Sequence, residues 1–334
     1  MSNYQLNRRR VLQIFGAWAA ASPLLNGQQL AGEPEGRITP LGEFVNVLEF
    51  EPMAKRKLTG AVFSIIAGGD RADMERCTFR SRLMVDTTKL NLTTELFGEN
   101  MFAPIVVGSA SLQQTFHPEG ELATLRGGTA AKAVTVISSL ASLPIEKIME
   151  AANGPIWYQV SVGPEARGQA EKAAGLGCKV LFITVTKPID WNAIDKIRHG
   201  LKVPVVVKGI MNPADAGTAV KRGMQGIVIS NYRAAASPSA FGMLPPIADV
   251  VGGKIPILID GGFRRGTDIL KAMILSAQAV MVTRPVLWGL AGYGADGVQS
   301  VMEMLQTELA RNMIMIGAVT PKDLKRDMIR IHSR

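Results

Sequence analysis

The chain is predicted to fold as an α/β protein, a (β/α)8 barrel behind an N-terminal cap, and three observations predict it. Eight short apolar, β-branched runs recur from about residue 100, the pattern of strands buried on both faces of a parallel sheet. Their starts lie 30, 22, 24, 24, 22, 29 and 24 residues apart, each interval enough for one strand, one helix and two short loops. No G-x-G-x-x-G follows the first run, which disfavours the runner-up, a doubly wound open sheet. The length of 334 residues holds one barrel of about 250 residues with a leader and a cap.

Residues 1–31 carry Arg8, Arg9 and Arg10 and no acid, followed by the apolar run 11–25 (VLQIFGAWAAASPLL). That run is too short to make a stable membrane span, and it reads as a signal peptide. The paired arginines before a mildly apolar stretch resemble the twin-arginine export motif, so the protein is expected to be exported folded and to work in the periplasm. A basic helix belonging to the fold is the alternative. Residues 32–100 are expected to form a cap segment with one or two helices, and residues 101–334 the barrel.

The eight predicted strands are 104–108 (PIVVG), 134–138 (VTVIS), 156–160 (IWYQV), 180–185 (VLFITV), 204–208 (PVVVK), 226–230 (GIVIS), 255–260 (IPILID) and 279–283 (AVMVT). Composition agrees with a large core: 47% of residues are hydrophobic and 19% charged, which excludes a disordered chain. Two cysteines, Cys77 and Cys178, cannot build a disulfide framework or a four-thiolate zinc site, and with histidine only at positions 117, 199 and 332 no metal centre is expected. The net charge of +9 lacks the aromatic interleaving and basic runs of a nucleic-acid binder, and it is compatible with anionic ligands and says little more.

Barrel enzymes carry their sites at the C-terminal ends of the strands. Inspecting those ends returns Gly108 to Ser111, Ser138, Gln159, Ser161, Thr184, Lys208, Ser230, Asp260 and Thr283, most of them polar where packing alone would choose apolar residues. Asp260, Gly261 and Gly262, with Arg264 and Arg265, end the seventh run, and Arg284 ends the eighth. Loops after strands seven and eight bind phosphate, because glycines let N–H groups approach and an arginine forks onto the oxygens. A tight turn with solvated arginines is the alternative. Lys208, at the inner end of PVVVKG, can form a Schiff base, stabilise an anion on a bound cofactor, or pair with Asp260.

From about residue 54 to 317 the chain resembles the FMN-dependent 2-hydroxy acid oxidase and dehydrogenase family. The resemblance rests on TELFG at 94–98, HPEGE at 117–121, VKGI at 207–210, ISN at 229–231, DGGFRRGTD at 260–268 and RPVLWGLA at 284–291. It implies FMN across the C-terminal mouth of the barrel. It places Ser138, Gln159, Thr184, Lys208 and Ser230 at the isoalloxazine ring, with Asp260, Gly261, Gly262, Arg264, Thr283 and Arg284 at the ribityl chain and phosphate. His117 is matched as a structural residue.

The departures from that family fall on the substrate side. The segment after Ser230-Asn231 reads Tyr232, Arg233, Ala234, Ala235, so the family's proton-abstracting histidine and carboxylate-clamping arginine are both replaced. Two family tyrosines fall at Ile65 and Ser161, the aspartate that orients the histidine at Thr186, and a second arginine is lost with the long loop after strand four. Lys208, Tyr232 and Arg233 are the remaining catalytic candidates, with Tyr232 a proton donor or acceptor, or else a space filler. The chain is therefore expected to be an FMN oxidoreductase with a reshaped pocket for a non-standard small-molecule substrate. The alternatives are a non-catalytic FMN-binding or electron-transfer protein, hydroxy-acid oxidation by an unconventional base, and another phosphate-binding barrel. A homo-oligomer is expected.

Overall fold

The structure is a computed structural model that describes residues 37–82, 84–186, 188–231 and 238–332. The leader expected over 1–31, and Tyr232 and Arg233, lie outside the described residues. Residues 41–334 form one compact unit. The described residues 37–40, which fall outside that unit, form neither helix nor strand.

All eight predicted runs are strands: β1 (Ile105–Val107), β2 (Thr135–Ser138), β3 (Ile156–Ser161), β4 (Val180–Thr184), β5 (Val205–Ile210), β6 (Gly226–Ile229), β7 (Ile257–Asp260) and β8 (Ala279–Val282). Each pairs in parallel with the next, and β8 returns to β1 through Val280 opposite Ile105, closing the barrel. The β-branched content that marked the runs suits this setting, since such side chains fill a pleated surface that is covered on both faces.

Helices follow the strands: α4 (Gly120–Ala130), α5 (Ile145–Glu150), α6 (Ala166–Gly175), α7 (Trp191–Arg198), α8 (Pro213–Lys221), α9 (Ala240–Val251), α10 (Gly266–Ile274) and α11 (Arg284–Ile316). Their starts are written locally. Asp190 caps α7 by accepting from the N–H groups of Asn192 and Ala193, and Asn212 caps α8 with Pro213 in its first turn. The long α11 breaks at Tyr293 and Gly294, where Gly294 has φ +59°, and a Cβ there would press on the His117 ring. His117 is thus a packing residue at the break in α11.

The cap differs from the one or two helices expected. It holds α1 (Phe50–Lys57), α2 (Gly60–Ile66) and α3 (Ala72–Glu75), together with short strands. Segments of eight, seven and four residues are too brief to show a helical period on their own, and burial of Phe50, Met53, Ile66 and Met74 against the barrel side fixes them. Cys77–Phe79 pairs antiparallel with Ile329–Ile331, so the cap is tied to the C-terminal end of the chain. A hairpin, Thr94–Leu96 with Glu99–Met101, plugs the barrel floor: Leu96 and Met101 join the interior cluster, and Phe97 meets Trp157 edge-on at 5.6 Å.

The barrel interior is layered. Val106, Val136, Trp157, Phe182, Val206, Val228, Leu258 and Met281 belong to one apolar interior cluster, with Trp157 stacked on Phe182. Two residues further along the same strands stand Gly108, Ser138, Gln159, Thr184, Lys208, Ser230, Asp260 and Thr283. Side chains two apart share a face of a strand, so the interior changes from oil to polar groups within one layer.

Candidate functional site

Above that polar layer lies a cavity of about 460 Å³, within the range of small-molecule and cofactor sites. Ser138, Gln159, Thr184, Lys208, Ser230, Asp260, Gly261, Thr283 and Arg284 all line it, so nine of the eleven predicted cofactor-binding residues meet in one place. Gly262 and Arg264 do not reach the wall. Gly262 (φ +81°) sits under the Asp70 carbonyl with no room for a Cβ, and Arg264 lies just behind, over the Trp288 ring at 4.6 Å.

At the heart of the site the ammonium of Lys208 pairs with Asp260 Oδ2 and donates to Ser230 Oγ at 3.1 Å. The lysine side chain is 6% exposed and the aspartate 18%, so this is a buried ion pair held between β5 and β7. The pair offered as an alternative to a catalytic lysine is present. Beside it the Gln159 amide donates to Thr184 Oγ1 at 2.8 Å, and Ser138 Oγ lies 3.4 Å from Ser111 Oγ. Each of these groups keeps capacity for a further partner in the cavity.

The other end carries two guanidinium groups side by side. Arg264 donates to the main-chain oxygens of Phe263 and Gly68, and Arg284 to those of Gly68 and Ala67, at 2.7–3.4 Å. Their described hydrogen bonds end on neutral carbonyls rather than carboxylates. Burial, reinforced by the positive charge of Arg284, pushes the Arg264 guanidinium down to about 9. An anion placed here would relieve that repulsion, and Gly261, in the left-handed region at φ +114°, opens the main chain toward the same spot. The donor set therefore fits a phosphate ester at one end and a flat, hydrogen-bonding ring system at the other.

One supporting residue was quoted in a motif without a role. Glu121, fully buried in α4, accepts from the N–H of Gln113 at 3.0 Å and of Ser142 at 2.8 Å, linking the loops after β1 and β2 that rise beside the cavity. HPEGE supplied the residue type. Only the fold shows that its carboxylate faces two loops at once.

The substrate-side positions split. Ile65 and Ser161 line the cavity, whereas exposed Thr186 does not. Among the described residues lining it there is no histidine, and Lys208 and Arg284 supply the positive charge. Cys77 and Cys178 are free and buried away from it. No group of metal-ligating side chains occurs among the described residues, and no described helix is long and apolar enough to cross a membrane.

The family described as FMN-dependent dehydrogenase matches residues 58–190 and 185–331. The two matched segments overlap over residues 185–190, directly after β4. A peroxisomal (S)-2-hydroxyacid oxidase of Arabidopsis thaliana is 30% identical across 87% of this chain and 97% of its own length. An L-lactate oxidase of a Nostoc species is 30% identical across 86% and 98% respectively. Among solved structures, a mandelate oxidase with (S)-2-phenylpropionate superposes with TM-score 0.82 at 30% identity, over 87% of this chain and all of that one.

Proposed function

The chain belongs to the FMN-dependent dehydrogenase family, and from that premise we propose that it is an FMN oxidoreductase whose pocket no longer handles 2-hydroxy acids by the family route. FMN is its cofactor. When bound, FMN supplies the two-electron redox chemistry, and the protein contributes binding, orientation and electrostatics. Ser138, Gln159, Thr184, Lys208 and Ser230 would hold the ring, and Asp260, Gly261, Thr283 and Arg284 the ribityl chain and phosphate. Gly262 and Arg264 would support that end from behind.

The observation that carries the reading is the asymmetry of one cavity: its flavin-side residues match the family, while Ile65 and Ser161 stand where the family has tyrosines. Tyr232 follows directly on Asn231, which lines the cavity, and replaces the family's base; Arg233 comes next. Tyr232 is the candidate to exchange a proton with the substrate, a role a phenol can take when a cation lowers its pKa. Anaerobic mixing of the loaded protein with hydroxy acids tests the proposal: an unbleached flavin supports it, and rapid bleaching overturns it.

Arg284→Ala should weaken FMN binding by about 1.5–3 kcal/mol, the value of a hydrogen bond to a charged group. Titrating apoprotein with FMN and following the quenching of its fluorescence measures this. Unchanged affinity would move the phosphate elsewhere.

We also propose export in folded form by the twin-arginine route and residence in the periplasm, on the strength of Arg8 and Arg9 before the apolar run 11–25. Changing both to lysine should leave the protein in the cytoplasmic fraction. Continued export of that variant would assign the leader to another pathway.

A further inference from the structure

We propose that the ligand this cavity takes beside the flavin is an uncharged molecule with a substantial apolar body, in place of a carboxylate. The inference rests on the reading that family hydroxy-acid chemistry has been given up, and it names the class that replaces the acids.

The walls supply the first argument. Ile65, 65% exposed, and Leu140, 50% exposed, both line the cavity, and Phe116 is buried beside them. Leu112, 58% exposed and off the cavity wall, donates its N–H to the Leu140 carbonyl at 2.9 Å and so ties down the main chain that carries Leu140. Leu112 is also held at φ +50°, ψ +49°, a left-handed conformation that costs a side-chain-bearing residue free energy. Large apolar groups left facing water around one opening are surface that a ligand gains by covering.

Charge supplies the second argument. A carboxylate entering this space sheds water and needs a cation in return. Of the described cations on the wall, Lys208 is committed to Asp260, and Arg284 stands at the phosphate end with its guanidinium on the carbonyls of Ala67 and Gly68. Among the described residues, what remains for the ligand's polar part is neutral: the Ser111 and Ser161 hydroxyls. These suit a hydroxyl, carbonyl or ester group, each of which needs one or two hydrogen bonds and no counter-charge.

The test compares mandelate with its methyl ester, which removes the charge and adds one methyl group, each titrated anaerobically into the FMN-loaded protein while the flavin spectrum is followed. The ester is expected to perturb the spectrum with at least about tenfold lower Kd than the acid, more than the roughly fourfold that burial of one methyl group supplies, because the acid must bury an unpaired charge. In Ile65→Gln and Leu140→Gln, each first shown by its spectrum to carry FMN, binding of the ester should fall by about tenfold or more. Equal or tighter binding of mandelate overturns the proposal, as does a protein that responds to neither probe. Flavin reduction by mandelate is a separate signal and overturns the premise that hydroxy-acid chemistry is lost. Unaltered ester binding in both variants would remove the apolar wall from the argument and overturn the proposal too.

Discussion

Mixed anaerobically with glycolate, lactate or mandelate, the FMN-loaded protein is expected to keep its visible flavin band. Oxidising a 2-hydroxy acid requires removal of its hydroxyl proton and a grip on its carboxylate as well as an electron sink. On the proposed reading Tyr232 takes the base position and Ala235 the clamp position, and no histidine is among the described residues lining the cavity. Loss of a general base alone lowers a rate by about 10² to 10⁴-fold. Loss of the clamp removes positioning as well, so the combined deficit should be on the order of 10⁴-fold or more. Stopped-flow absorbance resolves this for each acid. Bleaching on the millisecond-to-second scale would mean that Tyr232 with Arg233 has taken over both lost roles.

Lys208→Met is expected to damage both folding and the cofactor. Its ammonium is the described cation paired with Asp260, and both groups are largely shielded from water. Removing one partner of a buried pair leaves an uncompensated charge, which costs about 3–5 kcal/mol. For a chain of this size that corresponds to a fall in Tm on the order of 10 °C. The double variant Lys208→Met with Asp260→Asn should recover much of the stability, because the orphaned carboxylate is gone, yet should not recover FMN affinity if Lys208 holds the ring. Calorimetry of the three proteins and an FMN titration separate the two effects. A single variant as stable as the parent would show that Asp260 finds another partner.

The barrel itself was legible because each strand is continuous in sequence and buried on both faces. A run such as VLFITV needs no partner to be recognised. The polar layer was legible for the same reason: Trp157 and Gln159, or Val206 and Lys208, are two residues apart, and the strand period alone puts them on one face at successive heights. Positions 67–70 were not, because their role lies in carbonyl groups. The Gly68 oxygen accepts from Arg264 and from Arg284, residues 196 and 216 positions away, and a main-chain acceptor has no residue type to betray it.

Sequence by itself therefore determined the class of fold, the eight strands and the family, and proposed the side chains that would meet the flavin: the strands and the polar layer follow from local period and residue type, the family and the flavin assignments from motif resemblance. Tertiary structure decided which of those side chains share a cavity, that Lys208 is paired with Asp260, that Arg264 stands behind the wall rather than on it, and that Ile65 and Leu140 give the cavity exposed apolar side chains. The physical reason is range. Periodicity and propensity act over a few residues, whereas desolvation, ion pairing and burial depend on groups that meet only when distant strands and the cap close around the same space.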